Sequence, residues 1–236
     1  MIRIRKSHER HHANRGWLDS YFTFSFADYY DPEHMGFRVL RVMNEDTIEP
    51  GGGFGPHAHR DMEIITYVLE GGIQHRDSMG EEHVVRPNEI QTMSAGSGVV
   101  HSESNPSSTE PVHLMQIWIE PAEEDLVPSY QQIGFDLDET RGRLRLLAGP
   151  QVDDPNTQTV IRQNARLFVG RLAESESVTA ELAAGRHAWI QVVRGALSLN
   201  DQVLETGDGA AVSDESALTI EGSGAVDAEF LFFDLP

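Results

Sequence analysis

The sequence predicts an all-β protein made of two tandem domains of the β-sandwich or β-barrel type. Short strand-like runs follow one another along the chain, with glycine, proline, asparagine and aspartate turn signals between them. No strong helical periodicity occurs between residues 36 and 120. The second half returns to strand patterning, which indicates a second domain of the same kind.

The N-terminal stretch, residues 1–35, mixes charged and aromatic side chains. Phe22, Phe24 and Phe26 alternate with small or polar neighbours, so we expect one aromatic, buried face. His8 and the two histidines that follow it at positions 11 and 12 are interpreted as solvated side chains of this arm, because nothing nearby predicts a rigid frame.

The remaining strands of the first half are separated by recognisable turns. The runs are 36–43, 63–70, 73–75, 82–86, 89–94, 99–103 and 112–120. Residues 44–50 are predicted to form a turn. Residues 51–56 form a glycine-rich stretch suited to backbone crowding or positive φ. It is not a phosphate loop, because no G-K-[ST] and no helix follow it.

A composition break suggests where one domain ends and the next begins. Proline and acidic residues accumulate in 121–138, and strand patterning resumes after 142. We therefore predict a first domain over residues 1–125, a linker over 126–140 and a second domain over 141–236.

Composition restricts the classes of partner. The formal net charge is −20, a field that repels phosphate backbones, so nucleic-acid binding is not expected. The chain has no cysteine, which excludes disulfides and thiolate ligands. The N-terminus lacks the apolar segment of a signal peptide, and no apolar run reaches the ~20 residues needed to span a bilayer. We expect a soluble, cytoplasmic protein.

Two histidine-containing motifs carry the chemistry. His57 and His59 precede a strand-like run, and His101 and Glu103 repeat the same two-residue spacing further along. In an extended chain this spacing places both members of a pair on one face. Three imidazoles and one carboxylate suit a borderline divalent metal with an open coordination position. The spacing alone does not choose between Fe(II), Mn, Co, Ni, Cu and Zn.

The wider spacing of these motifs resembles the cupin family. The first motif is Gly51, His57, His59 and Glu63, with its closing glycine, Gly71, one place late. The second is matched more loosely by Pro87, Gly96, Gly98, His101 and Asn105. Each domain would then be a cupin-type jelly roll.

Longer stretches narrow the resemblance to the pirin family, in particular to bacterial pirin-like bicupins with quercetin 2,3-dioxygenase activity. They are R-G-W-L-D-S-Y-F-T-F-S-F-A-D-Y-Y-D-P, M-G-F-R-V-L-R-V, P-H-A-H-R-D-M-E-I-I-T-Y-V-L-E-G and M-S-A-G-S-G-V-V-H-S-E. The match covers most of the chain, strongly up to about Glu120 and more loosely beyond it.

The resemblance implies one metal ion bound by His57, His59, His101 and Glu103, with iron the first choice. Glu63, a ligand in other cupins, is then expected to be structural. Residues near the ligands are also interpreted: Gln116 as a hydrogen-bond partner of the site, His113 as a packed strand residue, and His34, His75 and His83 as surface residues. No residue is assigned to an organic cofactor.

The implied reaction is opening of the heterocyclic ring of a flavonol such as quercetin by O2, with release of carbon monoxide. Metal binding would lower the pKa of the flavonol 3-hydroxyl, and Glu103 is assigned as the general base that takes its proton. Two alternatives remain: a metal-binding regulatory or redox-sensing protein, and a cupin enzyme with another substrate. We expect a monomer.

The two halves align as a degenerate repeat, which limits the number of metal sites. Laying Y-V-L-E-G (67–71) on Q-V-V-R-G (191–195) places Glu181 and Ala183 at the positions of the first histidine pair. With a shorter hairpin, Glu221 and Ser223 fall at the positions of the second pair. The sequence therefore predicts one metal site, in the first half only.

Overall fold

The computed structural model describes residues 1–150 and 158–236, and over these residues the protein is all-β, as predicted. Its only helical segments there are two 3-10 turns, Ser7–Glu9 and Asp138–Thr140. None of the helical segments in this part of the chain has the length and apolar character needed to cross a membrane.

The strands in chain order are β1 (Ile2–Arg5), β2 (His11–Asn14), β3 (Leu18–Phe22), β4 (Leu40–Ile48), β5 (Gly53–His59), β6 (Glu63–Glu70), β7 (Ile73–Asp77), β8 (Glu82–Val85), β9 (Glu89–Ser94), β10 (Val99–Ser104), β11 (Val112–Ile119), β12 (Ser129–Gly134), β13 (Leu144–Gly149), β14 (Thr159–Val160), β15 (Arg166–Leu172), β16 (Ser177–Glu181), β17 (His187–Arg194), β18 (Ala196–Leu199), β19 (Gln202–Glu205), β20 (Gly209–Val212), β21 (Ala217–Gly222) and β22 (Ala228–Leu235).

The chain forms two compact units. The first unit consists of His11–Phe135 and the described part of 150–163. The second unit consists of Met1–Arg10, Asp136–Gly149 and Asn164–Pro236. The predicted division at 1–125, 126–140 and 141–236 stays a prediction. It differs from these units in that residues 1–10 belong to the second unit and the described part of 150–163 belongs to the first.

The first unit is a sandwich of two antiparallel sheets. The larger sheet has the order β12-β9-β6-β11-β4-β3-β2, and the smaller has the order β5-β10-β7-β8. Apolar side chains of both sheets share one buried cluster, with Ile48, Val68 and Leu114 from the larger sheet and Ile73 and Val85 from the smaller. Burial of these side chains, at about 25 cal/mol per Å² of apolar surface, holds the two sheets face to face.

The second unit repeats this plan. Its sheets have the orders β1-β20-β17-β22-β15-β13 and β16-β21-β18-β19. The N-terminal strand β1 pairs antiparallel with β20, Ile2 opposite Val212, so residues at the two ends of the sequence share one sheet. Phe230 and Leu197 belong to its buried apolar cluster.

One prediction about local structure was wrong, and the predicted linker contains a strand. Residues 44–48, predicted to be a turn, continue β4, because Asn44, Asp46 and Ile48 keep the alternating burial of the strand. Within the predicted linker 126–140, Ser129–Gly134 forms β12 and pairs with β9 in the larger sheet of the first unit. Its side chains are half-buried or exposed and lack the alternation that marks the other strands; Tyr130 donates from its hydroxyl to Gln132 Oε1 at 2.8 Å.

Candidate metal centre

The candidate site lies where β5 and β10 pair. The antiparallel register sets His101 directly opposite His57, and Val99 opposite His59. On β10 the burial alternates, with Val99, His101 and Glu103 facing inward. The two histidine-containing motifs therefore meet on one face of the smaller sheet, as the two-residue spacing predicted.

Glu103 follows a register shift between β5 and β10, and its carboxylate is grouped with His101 and His75 but not with His57 and His59. Between His101 and Glu103 the pairing moves from His57 to Phe54, so the β5 side contains one extra residue. The strand beyond the shift runs close to β10. A Cβ on Gly53 would lie 2.4 Å from the Glu103 carbonyl oxygen. Gly51 has φ +71°. The glycine-rich stretch thus meets both expectations, crowding and positive φ.

The three imidazoles form a close cluster. The ring centroids of His57 and His101 are 4.4 Å apart, and each of these rings lies 4.8 Å from that of His59. His57 donates from Nδ1 to the carbonyl oxygen of Gly55 at 2.8 Å. When this nitrogen carries the proton of the ring, the lone pair of Nε2 is available to a metal ion.

The environment disfavours protonation of two of these histidines. Burial, followed by the charge of His57, lowers the pKa of His59 to about 4. Burial, followed by the charges of neighbouring imidazoles, lowers the pKa of His101 to about 2. Both rings are therefore neutral near pH 7, the form in which an imidazole binds a metal.

Glu103 is buried and held by neutral donors. Gln116 on β11 donates from Nε2 to both of its carboxylate oxygens, at 3.1 and 3.3 Å. Thr66 on β6 donates from Oγ1 to Gln116 Oε1 at 3.0 Å, which fixes the orientation of the amide. Burial raises the pKa of Glu103 to about 7, against the opposing hydrogen bonds. The contact predicted for Gln116 is present.

One buried atom indicates that a metal fits here. Among the residues that the structure describes, His101 Nε2 has no hydrogen-bond partner although it is buried. Leaving a buried polar atom unpaired costs about 1–3 kcal/mol, which a bound cation would offset. Nitrogen atoms of His57, His59 and His101 lie within 4.8 Å of one another. Histidine nitrogens together with a carboxylate oxygen, and no thiolate, suit a borderline divalent ion.

A second group of potential ligands shares His101. It contains His75, His101 and Glu103, all buried, again within 4.8 Å of one another. The expectation that His75 is a surface residue was wrong: its side chain is fully buried and contacts Asp77. Ile73 and His75 share the inward face of β7, a two-residue pattern that was visible in the sequence.

The other histidines stay outside both groups. His113 lies half-buried on β11 and bonds Glu45, as a packed strand residue would. His34 is half-buried beside Asp31, and His83 is exposed beside Glu81. In the N-terminal arm, His12 lies on β2 with an exposed side chain, and its ring stacks on Tyr21 at 4.5 Å between centroids. Glu63 bonds Ser94 and the backbone N–H of Arg162.

A cavity of about 400 Å³ opens beside the cluster. Four aromatic side chains line it, together with His57, His59, Glu103 and Gln116. The aromatic residues are Trp17, Phe26, Phe54 and Trp118. Its volume is within the range of small-molecule sites, and its walls suit a flat aromatic ligand.

Two polar residues of the cavity were missed by the sequence analysis. Asn44 and Asp46 line it from β4, and both are buried. Ser20 donates from Oγ to Asp46 Oδ1. Burial raises the pKa of Asp46 to about 7, partly opposed by Ser20 and reinforced by the charge of Glu103. Because residues 44–50 were predicted to form a turn, neither side chain was expected to lie in the site.

Within the described residues, both groups of potential ligands lie in the first unit. In the second unit β16 pairs with β21, and neither strand contains a histidine. Glu181 lies opposite Ala217, and Glu221 lies opposite Ser177. The two aligned glutamates are therefore not register partners, unlike His57 and His101.

Comparison with known proteins places these features in context. The model of the family described as "Pirin" matches residues 3–119, and that described as "Quercetinase C-terminal cupin domain" matches residues 146–235. A protein of Escherichia coli strain K12 named quercetin 2,3-dioxygenase is 50% identical over 236 residues, which cover 100% of this chain and 99% of that protein. A pirin-like protein of Caulobacter vibrioides is 39% identical, with 94% of each chain covered.

Solved structures agree with these matches. The crystal structure of YhhW from Escherichia coli superposes with a TM-score of 0.94 at 49% identity, covering 100% of this chain and 98% of that one. A structure described as bacterial pirin YhhW in complex with nickel(II) gives a TM-score of 0.93 at 48% identity, covering 100% and 99%.

Proposed function

The chain belongs to the pirin family, and we propose that it is a metal-dependent dioxygenase that opens the heterocyclic ring of flavonols such as quercetin with O2 and releases carbon monoxide. The observation that carries the proposal is the cluster of three imidazoles around the unpartnered His101 Nε2, with Glu103 beside it in an aromatic-walled cavity. The full-length likeness to proteins named quercetin 2,3-dioxygenase supports the same reaction.

The metal ligands in this proposal are His57, His59, His101 and Glu103. The donor set accepts several divalent ions, and the nickel(II) complex of the related protein supports a divalent metal. Fe(II) is proposed as the working metal. When bound, the ion supplies a positive charge that stabilises the deprotonated 3-oxygen of the flavonol.

The chain's own residues bind and orient the substrate. Trp118 packs edge-on against His59, with ring centroids 4.9 Å apart, and Phe26 packs edge-on against Trp118 at 5.4 Å. These rings form an apolar wall beside the histidines, on which a flat flavonol stacks. Stacking of this kind contributes about 0.5–1.5 kcal/mol per ring pair and displaces water from the cavity.

Glu103 is proposed as the general base that accepts the proton of the flavonol 3-hydroxyl. Its side chain lines the cavity, and the amide of Gln116 that donates to it is neutral, so this donor adds no positive charge that would oppose uptake of a proton. Gln116 keeps the carboxylate in one orientation. The protonated acid retains Gln116 as its neighbour, which limits movement during the transfer.

The proposal also includes a monomeric, cytoplasmic protein. A regulatory or redox-sensing role without dedicated catalysis is not favoured, because the relatives that match the full chain are named as dioxygenases.

The test uses metal-free protein reloaded separately with Fe(II), Mn(II), Co(II), Ni(II), Cu(II) or Zn(II). O2 uptake and carbon monoxide release are measured with quercetin, with the metal-free protein as control. We expect equimolar O2 uptake and carbon monoxide release with at least one metal. Absence of turnover with every fully loaded form would contradict the dioxygenase proposal. A Glu103→Gln variant that keeps its metal and full activity would contradict only the base assignment.

A further inference from the structure

Behind the three imidazoles, a chain of buried side chains leads from His101 to a carboxylate on the same sheet. His101 Nδ1 lies 3.4 Å from Nδ1 of His75, and His75 Nε2 lies 3.0 Å from Oδ2 of Asp77. The side chains of His75 and Asp77 are fully buried, and His101 is 2% exposed. All three residues lie on the paired strands β7 and β10, which hold them in a fixed register.

The second oxygen of Asp77 fixes the direction of the hydrogen bonds. Oδ1 accepts from the backbone N–H groups of Met79 at 2.8 Å and Glu81 at 3.1 Å. With two donors on Oδ1, the other oxygen is the one that pairs with His75, and the carboxylate form of this group accepts there. Opposite a carboxylate, the His75 nitrogen that faces Oδ2 carries a proton.

The positions of the remaining protons follow in sequence. A neutral His75 with its proton on Nε2 has only a lone pair on Nδ1. Two lone pairs cannot form a hydrogen bond, so His101 must donate from Nδ1 to His75. The proton of a neutral His101 is then on Nδ1, and its Nε2 has a free lone pair. That Nε2 is one of the buried side-chain atoms that have no hydrogen-bond partner among the residues that the structure describes.

We propose that Asp77 and His75 are positioning residues that hold His101 in the tautomer whose Nε2 binds the metal. Both His75 nitrogens already have partners, so His75 is a relay and not a ligand, although it belongs to the second group of potential ligands. The tautomer is a property of the metal-free protein and can be measured without a metal. Only the affinity measurement rests on the proposed metal site.

Asp77→Asn reverses the proton chain without changing its shape. The two backbone donors hold the amide oxygen at the Oδ1 position, so the amide nitrogen faces His75 and donates to it. His75 must then accept on Nε2 and carry its proton on Nδ1. It donates to His101, whose own proton moves to Nε2 and blocks the lone pair. Loss of the correct tautomer is the expected consequence of such an exchange.

The experiment measures histidine tautomers by long-range ¹H–¹⁵N correlation spectra of the metal-free protein. The signals are assigned from variants in which one histidine at a time is replaced. We expect His101 to carry its proton on Nδ1 in the natural protein and on Nε2 in Asp77→Asn. Ni(II) and Zn(II) affinities, measured by competition with a chelating dye, are expected to fall about 10–100-fold in the variant.

Glu81→Gln provides the matched control. Glu81 bonds His83 Nε2 at 2.8 Å near the same hairpin, but that pair is 43% and 45% exposed and does not reach the ligands. This variant should keep both the His101 tautomer and the metal affinity.

A His101 proton on Nε2 in the natural protein would overturn the proposal even if Asp77→Asn fails to fold. So would an Asp77→Asn variant with an unchanged tautomer and affinity. Failure of the dioxygenase proposal would leave both measurements intact, because neither uses substrate.

Discussion

Gln116 donates to both carboxylate oxygens of Glu103 from a single amide nitrogen, at 3.1 and 3.3 Å. Because Thr66 donates to the amide oxygen, the amide has no freedom to rotate and present that oxygen to Glu103. A neutral donor therefore orients the carboxylate that we propose both binds the metal and accepts the substrate proton.

Replacing Gln116 by Leu should weaken the site without changing its charge. Glu103 would lose its amide donor and its orientation, and we expect metal affinity to fall about 10–100-fold. The control is Gln74→Leu, which removes a bond of 3.1 Å to Glu82 on the exposed part of the same unit. Equal affinities for the Gln116→Leu and Gln74→Leu variants, measured by chelator competition, would contradict the orienting role.

Removing an aromatic wall should affect substrate binding more than metal binding. Phe26→Ala takes away a ring that lines the cavity and packs on Trp118, and we expect KM for quercetin to rise roughly tenfold. Tyr30→Ala removes an aromatic ring that is 73% exposed and serves as control. Steady-state kinetics with metal analysis decide the question. An unchanged KM at full metal loading would show that the flavonol does not stack there.

Asp46 should make the metal-free protein less stable as the pH rises. Its pKa is raised from 3.8 to about 7, so the stability that it contributes is complete below pH 4 and is lost as the pH rises through 7. Asp46→Asn removes this loss, and its Tm at pH 8 should exceed that of the natural chain by several degrees, at about 2–4 °C per kcal/mol. At pH 4 the two should agree closely.

Asp28→Asn is the control for that comparison, since the Asp28 side chain is 97% exposed. Thermal unfolding followed by circular dichroism at pH 4, 6 and 8 measures the effect. A Tm difference between Asp46→Asn and the natural chain that does not grow with pH would refute the assignment of a raised pKa.

Two glycines of β5 offer a test of how closely the strands approach. A Cβ at Gly53 would lie 2.4 Å from the Glu103 carbonyl oxygen and 2.6 Å from Ser104 Cα, both backbone atoms, whereas one at Gly55 meets nothing within 4 Å. Gly53→Ala should destabilise the protein by about 1–3 kcal/mol and displace Glu103, weakening metal binding. Gly55→Ala should do neither. Urea unfolding and metal titration of both variants check this, and equal behaviour would argue against the close approach.

The periodicity of the sequence was sufficient to predict the fold class and the meeting of the two histidine-containing motifs. His57 and His101 could be paired because extended chains place alternate residues on one face, and the resemblance to the pirin family supplied the carboxylate. The resemblance to the pirin family also indicated Gln116, which donates to Glu103 from β11.

The missed residues are polar side chains inside strands. Asn44 and Asp46 look like turn residues in the sequence, because asparagine and aspartate are common in turns. Their burial could not be predicted, because the cavity that they line forms only when the sheets pack. His75 was taken for a hairpin surface residue, since its partner Asp77 is also the residue that forms the turn. The exchange of β1 to the second unit depends on pairing with β20, which local patterns do not specify.

Anomalous X-ray diffraction at the absorption edge of the bound metal tests the metal position most directly. A crystal of the reloaded protein should show one strong peak in each chain, about 2.0–2.2 Å from nitrogen atoms of His57, His59 and His101 and from a carboxylate oxygen of Glu103. The His101 contact should be made by Nε2. A peak coordinated by His75 together with His101 Nδ1, or no ordered peak in fully loaded protein, would contradict this site.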